Sequence, residues 1–310
     1  MNLKSVYAVV FFLLAMTAWA SQPQGRGGAR GQRGAQQPRG QSGSLPAGTT
    51  AYRDLAYVTN GHVHQKLDLY LPKSGAKVPL IIFIHGGGFR GGDKGDQNPT
   101  QFLSQGYAVA SMNYRLSQDA IFPAQIEDCK AAVRWLRSNA VKYRLDTDHF
   151  GVWGTSAGGH LAAMLGTTGA ANVFDVGENL EFSSRVQVVA DYFGPTDFLQ
   201  MEAHRLPGGM GHDGPGSPES ALIGGALQQN KEKVRKANPI TYITPAAPPF
   251  FIAHGDADPL VPHHQSELLE AALKTAGVPV TFYTVKGGGH GFRNATADDR
   301  RDRFLAKYLK

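Results

Sequence analysis

The sequence of 310 residues contains a single cysteine, Cys129, so it has no pair from which an intramolecular disulfide could form. Cys129 lies in the amphipathic stretch 125–138, which predicts a buried helix position. Cysteines and partner acids at ligand spacing are also missing around the adjacent His263 and His264. The sequence therefore predicts neither a bound metal nor an organic cofactor.

Long apolar runs are scarce, and the one near the N-terminus, residues 6–16, is too short to span a bilayer as a permanent anchor. It follows Lys4 and precedes the small-residue ending Ala18-Trp19-Ala20, which is the layout of a secretory signal peptide. We therefore predict a signal peptide in residues 1–20, export to the periplasm or the medium, and no stable membrane anchor.

Acidic residues are absent before Asp54, and residues 21–49 hold almost no large apolar side chains. Such a segment cannot bury enough surface to offset the entropy of ordering, so we predict a disordered linker in 21–49 and one folded domain in 50–310. The net charge of the whole chain is 31 − 25 = +6, and Lys4 with four linker arginines supplies five of these charges. The domain itself is near neutral, at 6 − 5 = +1, which argues against a nucleic-acid surface.

The folded part alternates apolar runs with amphipathic stretches. Residues 52–58 and 66–71 alternate apolar and polar side chains around Asn60-Gly61, which predicts an antiparallel hairpin. Continuous apolar runs, typical of strands covered on both faces, follow in order. The predicted strands cover residues 80–84, 107–112, 150–153, 186–192, 250–253 and 280–285, and the predicted helices cover 125–139, the stretch after Ser156, and 265–276. This order predicts an α/β fold with a mostly parallel central sheet and helices on both faces.

Residues 199–239 interrupt the alternation with Gly, Pro and His clusters. We predict an insertion over the edge of the sheet, with one short helix at 228–237, that forms part of a pocket rim and takes the place of a large cap.

Ser156 lies in the segment 154–160, whose sequence is Gly-Thr-Ser-Ala-Gly-Gly-His. Small residues two positions before and after the serine are what a tight strand–turn–helix elbow requires, and such an elbow exposes the serine Oγ. The elbow would also direct the Ala157 N–H toward a substrate oxyanion. A Gly-x-Ser-x-Gly match alone is equally compatible with an ordinary glycine-rich turn, so the other motifs have to distinguish a catalytic elbow from such a turn.

Residues 85–89, His-Gly-Gly-Gly-Phe, come directly after a predicted buried strand. Consecutive glycines let backbone N–H groups approach a ligand without interference from Cβ atoms. We predict that Gly87, Gly88 and Ala157 supply the donors of an oxyanion hole. His85 is predicted to brace the loop through ring hydrogen bonds and not to act as an acid or base.

Two acids, Asp256 and Asp258, follow the predicted strand 250–253. Asp258 sits where the turn can deliver a carboxylate to the elbow, so it is the predicted partner of the catalytic histidine, and Asp256 is predicted to form the turn. Asp256 remains the alternative acid.

His290 lies among glycines after the last predicted strand. The order serine, aspartate, histidine, each after a strand, is the order found in α/β-hydrolases. It selects His290 as the predicted general base over His254, His263 and His264.

With these motifs the chain resembles α/β-hydrolase esterases. It is similar to the hormone-sensitive-lipase-like group in residues 85–89, 113–116 (Asn-Tyr-Arg-Leu), 122–124 (Phe-Pro-Ala) and 154–159. It departs from that group in its acid turn, residues 256–262, and in having no helical cap before the first strands. In both respects, and in residues 217–243, it resembles exported bacterial acetylxylan and feruloyl esterases. The resemblance covers residues 52–310 and implies the α/β-hydrolase fold.

The resemblance implies a serine carboxylesterase with Ser156, Asp258 and His290 as its triad. The implied substrates are short-chain acyl or aryl esters, including acetyl or feruloyl esters of plant polysaccharides, so the expected partner is a small-molecule or oligosaccharide ester. Two alternatives stay open. A peptidase of the prolyl-oligopeptidase type uses the same triad order, and a non-catalytic binding protein retains such a pocket without its chemistry.

Overall fold

The computed structural model describes residues 45–96, 99–171 and 173–310. The predicted signal peptide, 1–20, and most of the predicted linker, 21–49, lie outside the described residues. Leu45 packs against an apolar cluster of the domain. The folded part thus begins at least five residues before the predicted boundary at residue 50.

An eight-stranded sheet, in the order β1-β2-β4-β3-β5-β6-β7-β8, forms the centre of the domain. The strands are β1 (Thr50–Ala56), β2 (Lys66–Leu71), β3 (Val78–Ile84), β4 (Ala108–Met112), β5 (Leu145–Thr155), β6 (Val188–Tyr192), β7 (Phe250–Gly255) and β8 (Val280–Val285). β1 pairs with β2 and β2 with β4 in antiparallel fashion, and every other neighbouring pair is parallel. The predicted mostly parallel sheet with an antiparallel hairpin at one side is confirmed.

Helices cover both faces of this sheet. They are α1 (Gln101–Ser104), α2 (Ala124–Ser138), α3 (Ala140–Tyr143), α4 (Ala157–Thr168), α5 (Met201–His204), α6 (Pro218–Ile223), α7 (Lys231–Lys236), α8 (His264–Thr275) and α9 (Ala295–Leu309). Short 3₁₀ turns lie at Phe198–Gln200, Leu227–Gln229 and Pro239–Tyr242. Across the described ranges, no helix combines the length and the apolar character needed to cross a bilayer.

The side chains of β3 show how the sheet divides the core. Leu80, Ile82 and Ile84 belong to one buried cluster, and Ile81 and Phe83 belong to the other. Because successive side chains of a strand point to opposite faces, both faces of β3 are covered, as the continuous apolar run predicts.

The insertion of residues 199–239 leaves the sheet between β6 and β7, which are interior strands. Its Met210, Pro218 and Glu219 line the same cleft as Ser156, so the predicted contribution to a pocket rim is confirmed.

Candidate active site

Ser156 forms the corner between β5 and α4, with φ of 56° and ψ of −123°. A non-glycine residue held at positive φ costs on the order of 1–3 kcal/mol, so the surrounding structure has to impose it. A Cβ on Gly154 would lie 2.0 Å from the carbonyl oxygen of Gly158, and a Cβ on Gly158 would lie 2.1 Å from that of Ile84. Only glycine allows so close an approach at both positions, and the tight elbow follows from it.

His290 and Asp258 join Ser156 in a continuous line of hydrogen bonds. His290 Nε2 lies 3.0 Å from Ser156 Oγ, and His290 Nδ1 lies 2.7 Å from Asp258 Oδ2. Asp256 has different partners, since it accepts a hydrogen bond from the Gly287 N–H at 2.6 Å and pairs with Lys286 at 3.1 Å. Asp256 therefore anchors the loop that leads to His290.

The Asp258 carboxylate is buried among hydrogen-bond donors. Its Oδ1 accepts from the N–H groups of Leu260 at 2.8 Å and Val261 at 2.9 Å. Burial alone would raise the pKa of Asp258, but the hydrogen bonds from His254 and His290 outweigh burial and hold the pKa well below its usual range. Asp258 is therefore ionised at neutral pH and able to orient an imidazole.

His254 is a contact of Asp258 that the sequence interpretation did not assign. Its Nε2 lies 3.2 Å from Asp258 Oδ2 and 3.0 Å from the carbonyl oxygen of Val261. Because both of these neighbours accept hydrogen bonds, Nε2 carries a hydrogen, and Nδ1 at 2.7 Å can accept from Ser266 Oγ. No sequence signal distinguishes this histidine, because its role depends on the turn from residue 255 to 261 folding back onto it.

The loop after β3 presents unpaired donors to the same cleft. Gly87 has φ of 112°, and a Cβ there would lie 2.3 Å from the carbonyl oxygen of Gly91, so the loop requires glycine at this position. Among the described residues, no backbone acceptor pairs with the N–H groups of Gly87, Gly88 or Ala157. All three line the cleft beside Ser156, so their donors remain free for a ligand oxygen.

His85 braces this loop, as the sequence predicts. Its Nδ1 lies 2.7 Å from the carbonyl oxygen of Gly86, and its ring stacks on Tyr114 with centroids 4.5 Å apart. The Tyr114 hydroxyl donates to the His85 carbonyl oxygen at 3.1 Å. Burial lowers the pKa of His85, so its ring is neutral and serves the loop structurally.

The cleft has a volume of about 670 Å³ and combines apolar walls with two acids. Glu219 is buried and lies 3.2 Å from His212, while Asp96 is exposed. The ring of Phe193 lies against His290 with centroids 4.7 Å apart. A cleft of this size accommodates a drug-sized or disaccharide-sized molecule next to Ser156.

The adjacent histidines His263 and His264, which the sequence analysis does not assign to a metal, contact other side chains. His263 lies 3.0 Å from Thr284 Oγ1 and 3.2 Å from Glu267, and His264 stacks on His204 with centroids 3.5 Å apart.

Comparison with known proteins shows the family to which the chain belongs. The family model described as BD-FAE matches residues 67–273. The chain belongs to the BD-FAE family. The matched segment contains Ser156 and Asp258 but ends before His290, which the fold supplies from the loop after β8.

Two solved structures and one curated protein illustrate the similarity. A truncated carbohydrate esterase from gut microbiota is 34% identical with a TM-score of 0.76, covering 84% of this chain and 97% of that one. A bifunctional GH43-CE protein of Bacteroides eggerthii is 36% identical with a TM-score of 0.78, covering 84% of this chain and 35% of that one. Esterase LipQ of Mycobacterium tuberculosis is 31% identical over 222 residues, which are 70% of this chain and 50% of LipQ.

These likenesses confirm the α/β-hydrolase fold and the resemblance to α/β-hydrolase esterases. The chain spans between 50% and 56% of the length of the first three curated relatives that it matches.

Proposed function

We propose that the protein is a serine carboxylesterase in which Ser156 is the nucleophile, His290 the general base and Asp258 the orienting acid. The hydrogen-bonded line of these three side chains, ending at a strained serine in an open cleft, carries the proposal. The esterase names of LipQ and of the gut-microbiota structure support the same reaction class.

The geometry supports a separate role for each nitrogen of His290. Nδ1 faces an ionised carboxylate, so it carries the ring hydrogen, and Nε2 is left free to accept the proton of Ser156 Oγ. Ser156 then attacks the ester carbonyl carbon, and the imidazolium formed on His290 is stabilised by Asp258. His290 subsequently gives the proton to the leaving alcohol, and an acyl-enzyme remains on Ser156.

The N–H groups of Gly87, Gly88 and Ala157 are proposed to bind the oxyanion of the tetrahedral intermediate. Each such donor contributes roughly 3 kcal/mol to transition-state stabilisation in serine hydrolases. Water activated by His290 then repeats the sequence on the acyl-enzyme and releases the acid.

Paired chromogenic substrates test this assignment. We expect p-nitrophenyl acetate to be hydrolysed and the p-nitroanilides of short peptides to be left intact, and we expect Ser156→Ala to lower kcat by ~10³ or more without loss of fold. Faster anilide than ester cleavage would indicate a peptidase. If folded Ser156→Ala protein turned over the ester as fast as the unmodified protein, the serine mechanism would be wrong. If the unmodified protein hydrolysed neither substrate, the result would favour a non-catalytic binding protein.

As to substrate, we propose acetyl or feruloyl esters of plant polysaccharides. Two carboxylates in the cleft, Glu219 and Asp96, can accept hydrogen bonds from sugar hydroxyls, and one related structure is a carbohydrate esterase by name. The test is release of acetate or ferulate from decorated xylo-oligosaccharides. Rapid hydrolysis of aryl acetates with no release from any sugar ester would restrict the function to small esters.

We also propose that the protein is exported. Residues 1–20 support this by their signal-peptide layout. Fractionation of cells expressing the full chain should place the mature protein outside the cytoplasm, cleaved after Ala20.

A further inference from the structure

Three potential metal ligands from two separate loops meet on the surface of the domain. His62 and His64 lie between β1 and β2, and Asp119 lies in the segment after β4. The ligand atoms of these side chains lie within 4.8 Å of one another. No other group of three such side chains meets this spacing within 45–96, 99–171 and 173–310. We propose that His62, His64 and Asp119 bind one Zn²⁺ ion.

The distances suit zinc. His64 Nδ1 lies 2.6 Å from Asp119 Oδ2, and His62 Nε2 lies 3.8 Å from Asp119 Oδ1. Tetrahedral Zn²⁺ with bonds of about 2.0–2.2 Å holds neighbouring ligand atoms about 3.3–3.5 Å apart. The two imidazoles face different oxygens of the one carboxylate, so a rotation of the Asp119 side chain would bring a single oxygen between them. All three side chains are partly exposed, so they can open the 2.6 Å distance between His64 and Asp119 by the ~0.7 Å that zinc requires and leave a fourth position to water.

Imidazole nitrogens with one carboxylate favour zinc over calcium or magnesium, which prefer oxygen ligands. His62 Nδ1 accepts a hydrogen bond from the His64 N–H at 3.2 Å, so in the metal-free protein the ring hydrogen is on Nε2. Zinc at Nε2 would replace that hydrogen and leave the ring hydrogen on Nδ1, so this hydrogen bond would be given up on binding. The ring already directs Nε2 toward the Asp119 carboxylate, 3.8 Å away.

Buried partners hold both loops in place. The Gln65 side chain accepts from the His62 N–H at 2.7 Å and donates to the buried Asp128 at 2.7 Å. On the other loop, Asp119 Oδ2 accepts from the Leu116 N–H at 2.9 Å. The ligands therefore need little further ordering, which separates this group from chance neighbours on a mobile surface.

A simple ion pair accounts for His64 and Asp119, whereas His62 Nε2 lies 3.8 Å from the same carboxylate, beyond hydrogen-bond distance. The pair His149 and Asp146, at 2.8 Å, shows such an arrangement without a third ligand, and it provides a matched control.

A bound ion would connect the loop between β1 and β2 to the segment that supports the glycine-rich loop. The N–H of Ser117, two residues before Asp119, donates to the carbonyl oxygen of Phe89 at 2.7 Å. Zinc would therefore stabilise the fold on the side of the cleft formed by residues 85–89, without touching Ser156.

Zinc chloride titrated into the chelator-treated full chain tests the site by calorimetry and thermal unfolding. We expect one equivalent to bind and Tm to rise by roughly 5–10 °C at a hundredfold excess over Kd, reversibly with EDTA. His62→Ala and Asp119→Asn should each weaken zinc binding by about tenfold or more. Asp119→Asn keeps an oxygen for the Leu116 N–H, so it remains informative if His64→Ala fails to fold.

Controls separate this site from other histidines. His149→Ala and His204→Ala should bind zinc as the unmodified protein does, and calcium chloride should produce no shift. Undiminished zinc affinity in both His62→Ala and Asp119→Asn would overturn the proposal, as would the absence of a Tm shift in the unmodified protein. These readouts do not depend on esterase activity, so the site can fail while the proposed reaction stands, and the reverse also holds.

Discussion

Exchanging Asp258 for asparagine should disable His290 as a base by moving its ring hydrogen from Nδ1 to Nε2. In the structure, the N–H groups of Leu260 and Val261 both donate to Asp258 Oδ1. They would hold the amide oxygen of Asn at that position and place its NH₂ group where Oδ2 now lies, facing His290 Nδ1. The His254 Nε2 hydrogen, which now shares Oδ2, would keep the Val261 carbonyl oxygen as its acceptor. Two donors cannot pair, so Nδ1 would give up its hydrogen and accept, which leaves the hydrogen on Nε2 facing Ser156.

A hydrogen on Nε2 prevents His290 from accepting the serine proton. We expect kcat/KM for p-nitrophenyl acetate at pH 8 to fall about 10³- to 10⁴-fold, which corresponds to roughly 4–5.5 kcal/mol in activation free energy. The matched variant Asp256→Asn retains an oxygen for the Gly287 N–H and loses only an exposed pair with Lys286, so its kcat/KM should change less than about threefold.

Stability provides a second readout for Asp258→Asn. The depressed pKa of Asp258 contributes stability that is fully present above the usual aspartate pKa and is lost as pH falls through the folded value. The variant should therefore unfold at lower temperature than the unmodified protein at pH 8, and the two should converge under acid conditions. Folded Asp258→Asn protein within tenfold of normal activity, or a larger loss in Asp256→Asn, would refute the tautomer argument and move the acid to Asp256.

Three further predictions concern pH, the N-terminal segment and the acyl chain. Burial raises the pKa of Asp191 to about 7, above the usual ~3.9, so the fold loses stability as pH rises from about 4 to about 7. Asp191→Asn should raise Tm by several degrees at pH 8 and much less at pH 4, and an equal gain at both would contradict this. In the mature chain, deleting residues 21–44 should leave the Tm measured by calorimetry unchanged. Deleting residues 21–49 should lower the free energy of unfolding by about 1 kcal/mol, because the contacts of Leu45 are lost. Equal Tm values for the two deletions would show that Leu45 contributes nothing to stability. The p-nitrophenyl esters of acetate and butyrate should be hydrolysed faster than that of palmitate, because an open cleft does not gain the ~0.8 kcal/mol that burial of each methylene provides. Faster hydrolysis of the palmitate ester would indicate a lipid tunnel.

Much of the fold follows from local patterns, because buried parallel strands have continuous apolar sequences. The helix α9 is a different case, since its sequence is dominated by charged residues. Its inward face carries Arg301, whose guanidinium lies 4.1 Å from the Trp153 ring and pairs with Asp298 and Asp302. A buried arginine interrupts the apolar stripe that would predict this helix, and only the tertiary structure shows its partners.

The elbow and the order of the three site residues could be predicted because each follows a strand of a parallel sheet. The carboxyl ends of β5, β7 and β8 lie on one side of that sheet, so Ser156, Asp258 and His290 meet there once the strands pair. The insertion between β6 and β7 has no such constraint. Its short helices and turns depend on contacts with the rest of the domain, so the contribution of Glu219 to the cleft could not be predicted.

Two buried aspartates show why position and burial alone do not identify a functional carboxylate. Asp191 in β6 and Asp258 after β7 are exposed by only 1% and 2%. Asp191 accepts one hydrogen bond, from the Gly194 N–H at 3.0 Å, and burial raises its pKa to about 7. Asp258 meets two backbone N–H groups and two imidazoles, and its pKa is lowered although its exposed fraction is similarly small. The number of donors therefore decides which acid stays ionised beside a histidine. Those donors come from the turn after β7 and from His254, so the charge on Asp258 is set by the folded turn as much as by the aspartate itself.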